Sequence, residues 1–203
     1  MVKKKISNKI YYNVKNGGLE RYYPETKTKE VFGEIGGLVL DLRVVDKVDY
    51  DKKPMKELQL EMWDNTDGGE YYVICTRLHR SFSDGLILSL ANVPDLTEKL
   101  IVRGYTVANK DQNPAYQPSV FCSLKKYNNP EEKIKWIEGC PDSINTTYKG
   151  SPVKDREDRD AFLEDLIPKI AAKVRNNVSL VTDKLEAMPD EVYDEENIPG
   201  DED

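Results

Sequence analysis

The sequence predicts a mainly β protein: a five-stranded Greek-key barrel with a short helix between the third and fourth strands, followed by a C-terminal helix and an acidic tail. Three observations predict it. Five runs with a two-residue apolar period lie between Val31 and Tyr127, turn-forming clusters separate them, and one apolar stretch with a three- to four-residue period follows at residues 154–188. The order of strands and helix is that of an OB-type barrel. The chain divides into a basic, tyrosine-rich N-terminal arm (1–30), the barrel (31–153), a helical segment (154–188) and the tail (189–203).

The arm holds eight basic and three acidic residues together with Tyr11, Tyr12, Tyr22 and Tyr23. Asn16-Gly17-Gly18 marks a tight turn, which suits a small hairpin. Cations interleaved with rings are the ingredients of sequence-tolerant single-strand binding, although both are also common in solvated tails. The first barrel strand, Val31 to Val48, carries Ile35, Leu38, Leu40, Leu42 and Val44 at a two-residue period that slips at Gly36-Gly37. A glycine pair there suits the bend a long first strand needs to pair on both sides. A turn follows at residues 49–54, exposing Lys52 and Lys53.

The second strand, Met55 to Asp64, sets Leu58, Leu60 and Met62 inward and Glu57, Gln59, Glu61 and Trp63 outward. The third, Glu70 to Leu78, alternates Tyr72, Ile74 and Thr76 with Tyr71, Val73 and Cys75, and Arg77 and Arg80 lie near its end. A one-residue change of register swaps which tyrosine faces out. Ser81 or Ser83 caps a helix running to Asn92, stopped by Pro94, although Gly85-Leu86-Ile87-Leu88 also fits an extended strand. The fourth strand, Lys99 to Val107, puts Arg103 and Tyr105 on one face. The fifth, Ser119 to Tyr127, directs Val120, Cys122 and Leu124 inward and Phe121, Lys125 and Tyr127 outward.

Beyond the barrel, residues 131–137 read as a helical turn or a short outer strand, with Trp136 and Ile134 or Ile137 packing on the barrel. Residues 139–152 read as loop. A helix then starts at Asp155 or Asp158. Its stripe of Phe162, Leu163, Leu166, Ile167, Ile170 and Val174 faces either the chain's own core or a partner, a second copy of the chain included. Acids in its first turn and bases in its last complement the peptide dipoles, and Pro168 removes one backbone donor.

The net charge of −7 is segregated, because eight acids and no base fall between Pro189 and Asp203 and residues 1–188 therefore sum to +1. Three cysteines cannot pair completely within one chain. Together with no apolar run of membrane-spanning length and no apolar segment after Lys3-Lys4-Lys5, this predicts a reduced, cytoplasmic setting without membrane contact. His79 stands alone without a nucleophile motif, no phosphate loop or Cys-x-x-Cys pair is present, and no catalysis, metal or cofactor is expected.

The glycine pair, Trp63 at the end of the second strand, the Ser81-Phe82-Ser83-Asp84-Gly85 helix start and the acidic end resemble the layout of bacteriophage single-stranded DNA-binding proteins. The resemblance implies protection of single-stranded DNA in replication, recombination and repair, in the cytoplasm of a host cell. Asp194-Glu195-Glu196-Asn197-Ile198-Pro199 is similar to the acidic Ile-Pro ending of bacterial single-strand binders, which closes on phenylalanine, whereas this chain continues Gly200-Asp201-Glu202-Asp203. By that likeness, Asp194, Glu195, Glu196, Ile198, Asp201, Glu202 and Asp203 would recruit replication or recombination proteins; independently of it, a tail of charge −8 tethered beside a basic groove would compete with DNA for that groove.

The expected stacking residues are Trp63, Tyr72, Tyr105 and Phe121. The expected phosphate contacts are Arg77, Arg80, Arg103, Lys52, Lys53 and Lys125. An OB-fold protein-interaction or virion adaptor module that binds no nucleic acid is the alternative, and an RNA or sugar binder a third reading.

Overall fold

The computed structural model describes residues 9–15, 17–49, 51–64, 69–107, 119–148, 151–175 and 177. Eleven strands and two helices are present among them. The strands are β1 (Lys9–Lys15), β2 (Gly18–Tyr23), β3 (Thr28–Phe32), β4 (Glu34–Val48), β5 (Pro54–Asp64), β6 (Glu70–Arg77), β7 (Leu100–Thr106), β8 (Val120–Lys126), β9 (Asn129–Lys133), β10 (Ile144–Tyr148) and β11 (Ser151–Asp155). The helices are α1 (Ser81–Asn92) and α2 (Glu157–Val174). Nine strands form one open mixed sheet in the order β3-β2-β1-β6-β5-β4-β7-β8-β9, and β10 and β11 form a separate hairpin where sequence reasoning expected loop.

A closed five-stranded barrel is therefore not what the chain builds. The five expected strands are β4 to β8, but β1 pairs in parallel with β6, Lys9 opposite Tyr71 through Asn13 opposite Cys75. It occupies the ladder edge that barrel closure would need, and β9 occupies the free edge of β8. With β1 on the β6 edge and β9 at the Lys125–Lys126 end of β8, β6 and β8 do not pair with one another. The helix connects β6 to β7, and only Gly33 separates β3 from β4. Residues 9–32, read from sequence as an arm, supply three strands of this sheet, and the hairpin expected at Gly17-Gly18 joins β1 to β2.

The long strand β4 does pair on both sides. Glu34 to Gly37 face β7, and Leu38 to Val48 face β5, so the handover falls where the glycine pair ends. Both glycines are needed for close approach. A Cβ on Gly36 would lie 2.8 Å from the Tyr127 ring, and one on Gly37 3.0 Å from the Trp63 carbonyl oxygen. The register slip itself comes later, between Val39 and Asp41. Hence Ile35, Val39 and Leu42 point into the main core, while Leu38 and Leu40 point to the opposite face.

The main core lies between the inner face of the sheet and the two helices. Leu58, Leu60 and Met62 of β5 are fully covered there, as alternation predicts, with Tyr12, Leu19, Ile74, Val102 and Leu124. Helix α1 is apolar on nearly all sides and is buried from Phe82 to Leu90, which places it inside the fold. Its N-cap is Arg80, not a serine, and Ser83 Oγ accepts from the Arg80 backbone N–H at 2.9 Å. Helix α2 turns Leu163, Leu166, Ile167, Ile170 and Val174 onto the same core, so its stripe faces the chain itself. Ile134 and Ile137 pack against the core, while Trp136 is 53% exposed, contrary to the packing expected for it.

The sheet curls far enough for its distant parts to touch. Gly104 of β7 donates its backbone N–H to the Gly33 carbonyl at 3.0 Å, and a Cβ on Gly104 would come within 3.1 Å of the Gly18 Cα. This approach brings the β1–β2 turn beside the end of β7.

Candidate nucleic-acid interface

Where β1 and β6 end and β8 begins, near the start of α1, they leave a cleft of 420 Å³ whose lining includes Lys15, Arg77, His79, Arg80 and Arg156 and, among the described residues, no Asp or Glu. The sequence produces this by strand ends alone. Parallel pairing of β1 with β6 continues the register of Asn13 with Cys75 to Lys15 beside Arg77, both exposed. The turn after β6, with His79 at φ 59°, then carries Arg80 to the helix start.

Ser81 and Phe82 of α1 also line the cleft. The first backbone N–H groups of a helix have no partner inside it, and its dipole is positive at that end, so the local field favours anions. Two of these side chains are already engaged. Arg156 donates to Asp84 Oδ2 at 2.6 Å and Asp160 Oδ1 at 3.0 Å, and His79 lies 3.0 Å from Glu164 Oε1 and 3.2 Å from Asp160 Oδ1. Lys15, Arg77 and Arg80 form no ion pair among the described residues.

Arg77 and Arg80, expected from sequence, thus come together, while Arg103, Tyr105, Phe121 and Lys125 gather on the adjoining outer face of β7 and β8. Tyr105 and Phe121 are a register pair with ring centroids 5.9 Å apart, and Val120, next to Phe121, lines the cleft. Arg103 is exposed, and Lys125 lies 3.6 Å from Glu34. Lys52 and Lys53 are exposed in the β4–β5 turn and do not line the cleft, with Lys53 4.0 Å from Asp51. The tail residues Asp194 to Asp203 lie outside the described residues.

Two expected stacking residues are not at a surface. Tyr72 faces inward because Met62 is its partner in the β5–β6 ladder; it packs edge-on to Tyr12 at 5.7 Å and donates its hydroxyl to Glu70. Burial first, and then Glu70, pushes its pKa up. Trp63 does point away from the main core, but it is only 6% exposed, enclosed with Leu38, Leu40, Tyr71, Val73 and Cys75 in a second cluster.

Beside that cluster, Glu61 accepts from Lys9 Nζ at 3.0 Å, from the Tyr71 hydroxyl and from Arg43. Burial pushes the Glu61 carboxyl up, but Tyr71, Lys9 and Arg43 outweigh burial and leave it below its usual range. Burial and the Glu61 charge together push Tyr71 up. Lys47 is likewise held by Glu57 at 2.6 Å. Cations on this part of the sheet are neutralised by carboxylates, which makes it a poor phosphate surface.

Sequence reasoning missed Lys15, His79 and Arg156. The alternation in Lys9–Lys15, with Lys9, Tyr11, Asn13 and Lys15 on one face, carries the signal for Lys15. The other two depend on α2 docking against β4 and α1, a long-range contact that brings Arg156 to Asp84 and Asp160 and Glu164 to His79.

The thiols are free. Cys75 and Cys122 are buried and Cys140 is half-buried. Burial, with Glu57 second, pushes Cys75 up to about 12; burial alone raises Cys122, and burial raises Cys140 despite Arg159 nearby. Because the thiolate is the nucleophile, native protein at pH 8 is expected to release one equivalent of thionitrobenzoate from Ellman's reagent, at Cys140, and all three only after unfolding. Rapid release of three equivalents from folded protein would contradict the burial of Cys75 and Cys122.

Among the described residues there is no group of His, Cys, Asp and Glu able to hold a metal ion, and no helix long and apolar enough to cross a membrane. Comparison with protein-family models, curated proteins and solved structures gave no match.

Proposed function

We propose that this protein binds single-stranded DNA without sequence preference, in the cleft at the ends of β1, β6 and β8 and across the Tyr105–Phe121 pair. One observation carries the reading. Lys15, Arg77 and Arg80 converge, without a carboxylate partner among the described residues, on a cleft that also receives a helix N-terminus, whereas Lys9, Arg43 and Lys47 elsewhere on the sheet are paired.

Unpaired like charges held side by side repel one another, and a phosphate backbone entering the cleft relieves that repulsion while releasing counterions. The adjoining Tyr105 and Phe121 rings offer π-faces on which any base can stack, worth about 1–3 kcal/mol per base. Neither helix suits groove reading: α1 is buried, and the exposed face of α2 carries Glu157, Asp158, Glu164 and Asp165, which repel phosphate. An unpaired strand suits these features better than a duplex. The run β4-β5-β6-α1-β7-β8, with β4 paired to both β5 and β7, shares the strand order of the OB layout, which supports the same reading. Protection of single strands in replication, recombination and repair, and recruitment of partners by the acidic tail, are the roles that fit such a binder.

Fluorescence anisotropy of labelled oligodeoxythymidylate, titrated with the full chain at several salt concentrations, tests the proposal. Binding that weakens linearly in log–log form with salt is expected, and comparison with the ribo-oligomer of the same sequence tests for 2′-OH discrimination. Absence of binding at low salt would overturn it and favour the protein-interaction reading.

A further inference from the structure

We infer that the bound strand leaves the cleft along the outer face of β1 and β2 and stacks bases on Tyr11 and Tyr22, an extension that rests on the single-strand reading above. The register of β1 with β2, Tyr12 opposite Arg21 and Asn13 opposite Glu20, puts Tyr11 directly across from Tyr22. Their side chains share the face opposite the main core, and the residues are 51% and 49% exposed. Their neighbours Tyr12 and Tyr23, one residue on, turn the other way: Tyr12 is 4% exposed in the core, and Tyr23 donates to Glu30 at 3.0 Å.

Tyr11 and Tyr22 therefore contribute no core packing, and neither makes a hydrogen bond among the described residues. Two phenol rings facing one another across the ladder, each left half in water, offer sequence-tolerant stacking surfaces for bases. The platform is continuous with the cleft. Lys15 follows Tyr11 by four residues on the same strand face, about 13 Å at the rise of an extended chain, and Lys15 lines the cleft beside Arg77.

Charge on this route fits a phosphate backbone. Glu20, the acid between the two rows, is buried and holds Lys29 at 3.1 Å. Glu57, in register with Arg77, is occupied by Lys47 at 2.6 Å and by Gln59 Nε2 at 2.9 Å. Asn13, exposed between Tyr11 and Lys15, adds an uncharged amide to the path. The strand would meet rings first and unpaired cations second.

The test compares oligodeoxythymidylates of about 5 and about 15 nucleotides, within the range of site sizes found for single-strand binders. The doubly substituted Tyr11→Ala, Tyr22→Ala chain is expected to bind the longer oligomer about tenfold or more weakly, and the shorter one as the unsubstituted chain does. Tyr11→Phe, Tyr22→Phe should restore the longer oligomer's affinity, because the ring is kept. Equal affinity of the alanine chain and the unsubstituted chain for the longer oligomer overturns the inference while leaving the cleft intact. If the unsubstituted chain binds neither oligomer, the single-strand reading itself fails. Photocross-linking of the unsubstituted chain to 5-iododeoxyuridine oligomers gives a readout independent of any substitution: adducts at Tyr11 or Tyr22 support the route, and adducts confined to other residues refute it.

Discussion

Reversing two cleft charges, Lys15→Glu together with Arg77→Glu, is expected to weaken oligodeoxythymidylate binding at least a hundredfold at low salt and to flatten its salt dependence. Each cation within about 4 Å of a phosphate contributes about 1 kcal/mol in a watery environment, and a carboxylate in its place repels by a similar amount, giving a total near 4 kcal/mol for the pair. Removing a phosphate-binding cation should also reduce the log–log salt slope by about 0.7 for a single strand. The slope is the sharper measurement, since a general loss of fold would abolish binding rather than shift its salt response. Lys52→Glu with Lys53→Glu provides the control. Those lysines are exposed but outside the cleft, so a comparable loss on reversing them would mean that diffuse positive charge, and not the convergence of Lys15 with Arg77, attracts the DNA.

Much of the fold is legible because alternation is a local property. Leu58, Leu60 and Met62 enter the core as their spacing demands, and α2 starts at Glu157 where its acidic first turn and apolar stripe begin. What alternation cannot report is whether the second face of a strand meets water. Trp63 turns away from the main core as its position predicts, yet Leu38 and Leu40 across the β4–β5 ladder and Tyr71 on β6 enclose it. The Tyr71/Tyr72 ambiguity resolves through the pairing of Tyr72 with Met62, a fact about the neighbouring strand. The largest departure, a sheet that stays open, follows from the parallel pairing of β1 with β6 across about sixty residues. No local pattern in Lys9–Lys15 encodes its partner. The candidate site shows the same division: Arg77 and Arg80 are visible as cations at a strand end, whereas Lys15 joins them only once that pairing is made.

The second large effect is expected at Asp84, which ties the two helices together behind the cleft. Its carboxylate is 7% exposed, and Oδ2 accepts from Arg156 Nη2 at 2.6 Å and lies 3.4 Å from Arg159 Nε. Asp84→Ala would leave Arg159, itself only 13% exposed, with the Pro141 carbonyl at 3.0 Å as its remaining acceptor. Removing one partner of a buried pair leaves an uncompensated charge and typically costs about 3–5 kcal/mol. Urea denaturation should show it as a midpoint lower by about 2 M, at a slope of about 2 kcal/mol/M for a small domain. Asp84→Asn, which keeps an acceptor without the charge, should fall between the two. Oligonucleotide affinity of the still-folded Asp84→Ala chain should hold or rise, because Arg156 lines the cleft and loses one of its two carboxylate partners. Stability and binding are thereby expected to move in opposite directions at one residue. A midpoint shifted by less than about 0.3 M, equivalent to about 0.5 kcal/mol at that slope, would show that the apolar stripe of Leu163, Ile167 and Ile170 holds α2 in place without the clasp.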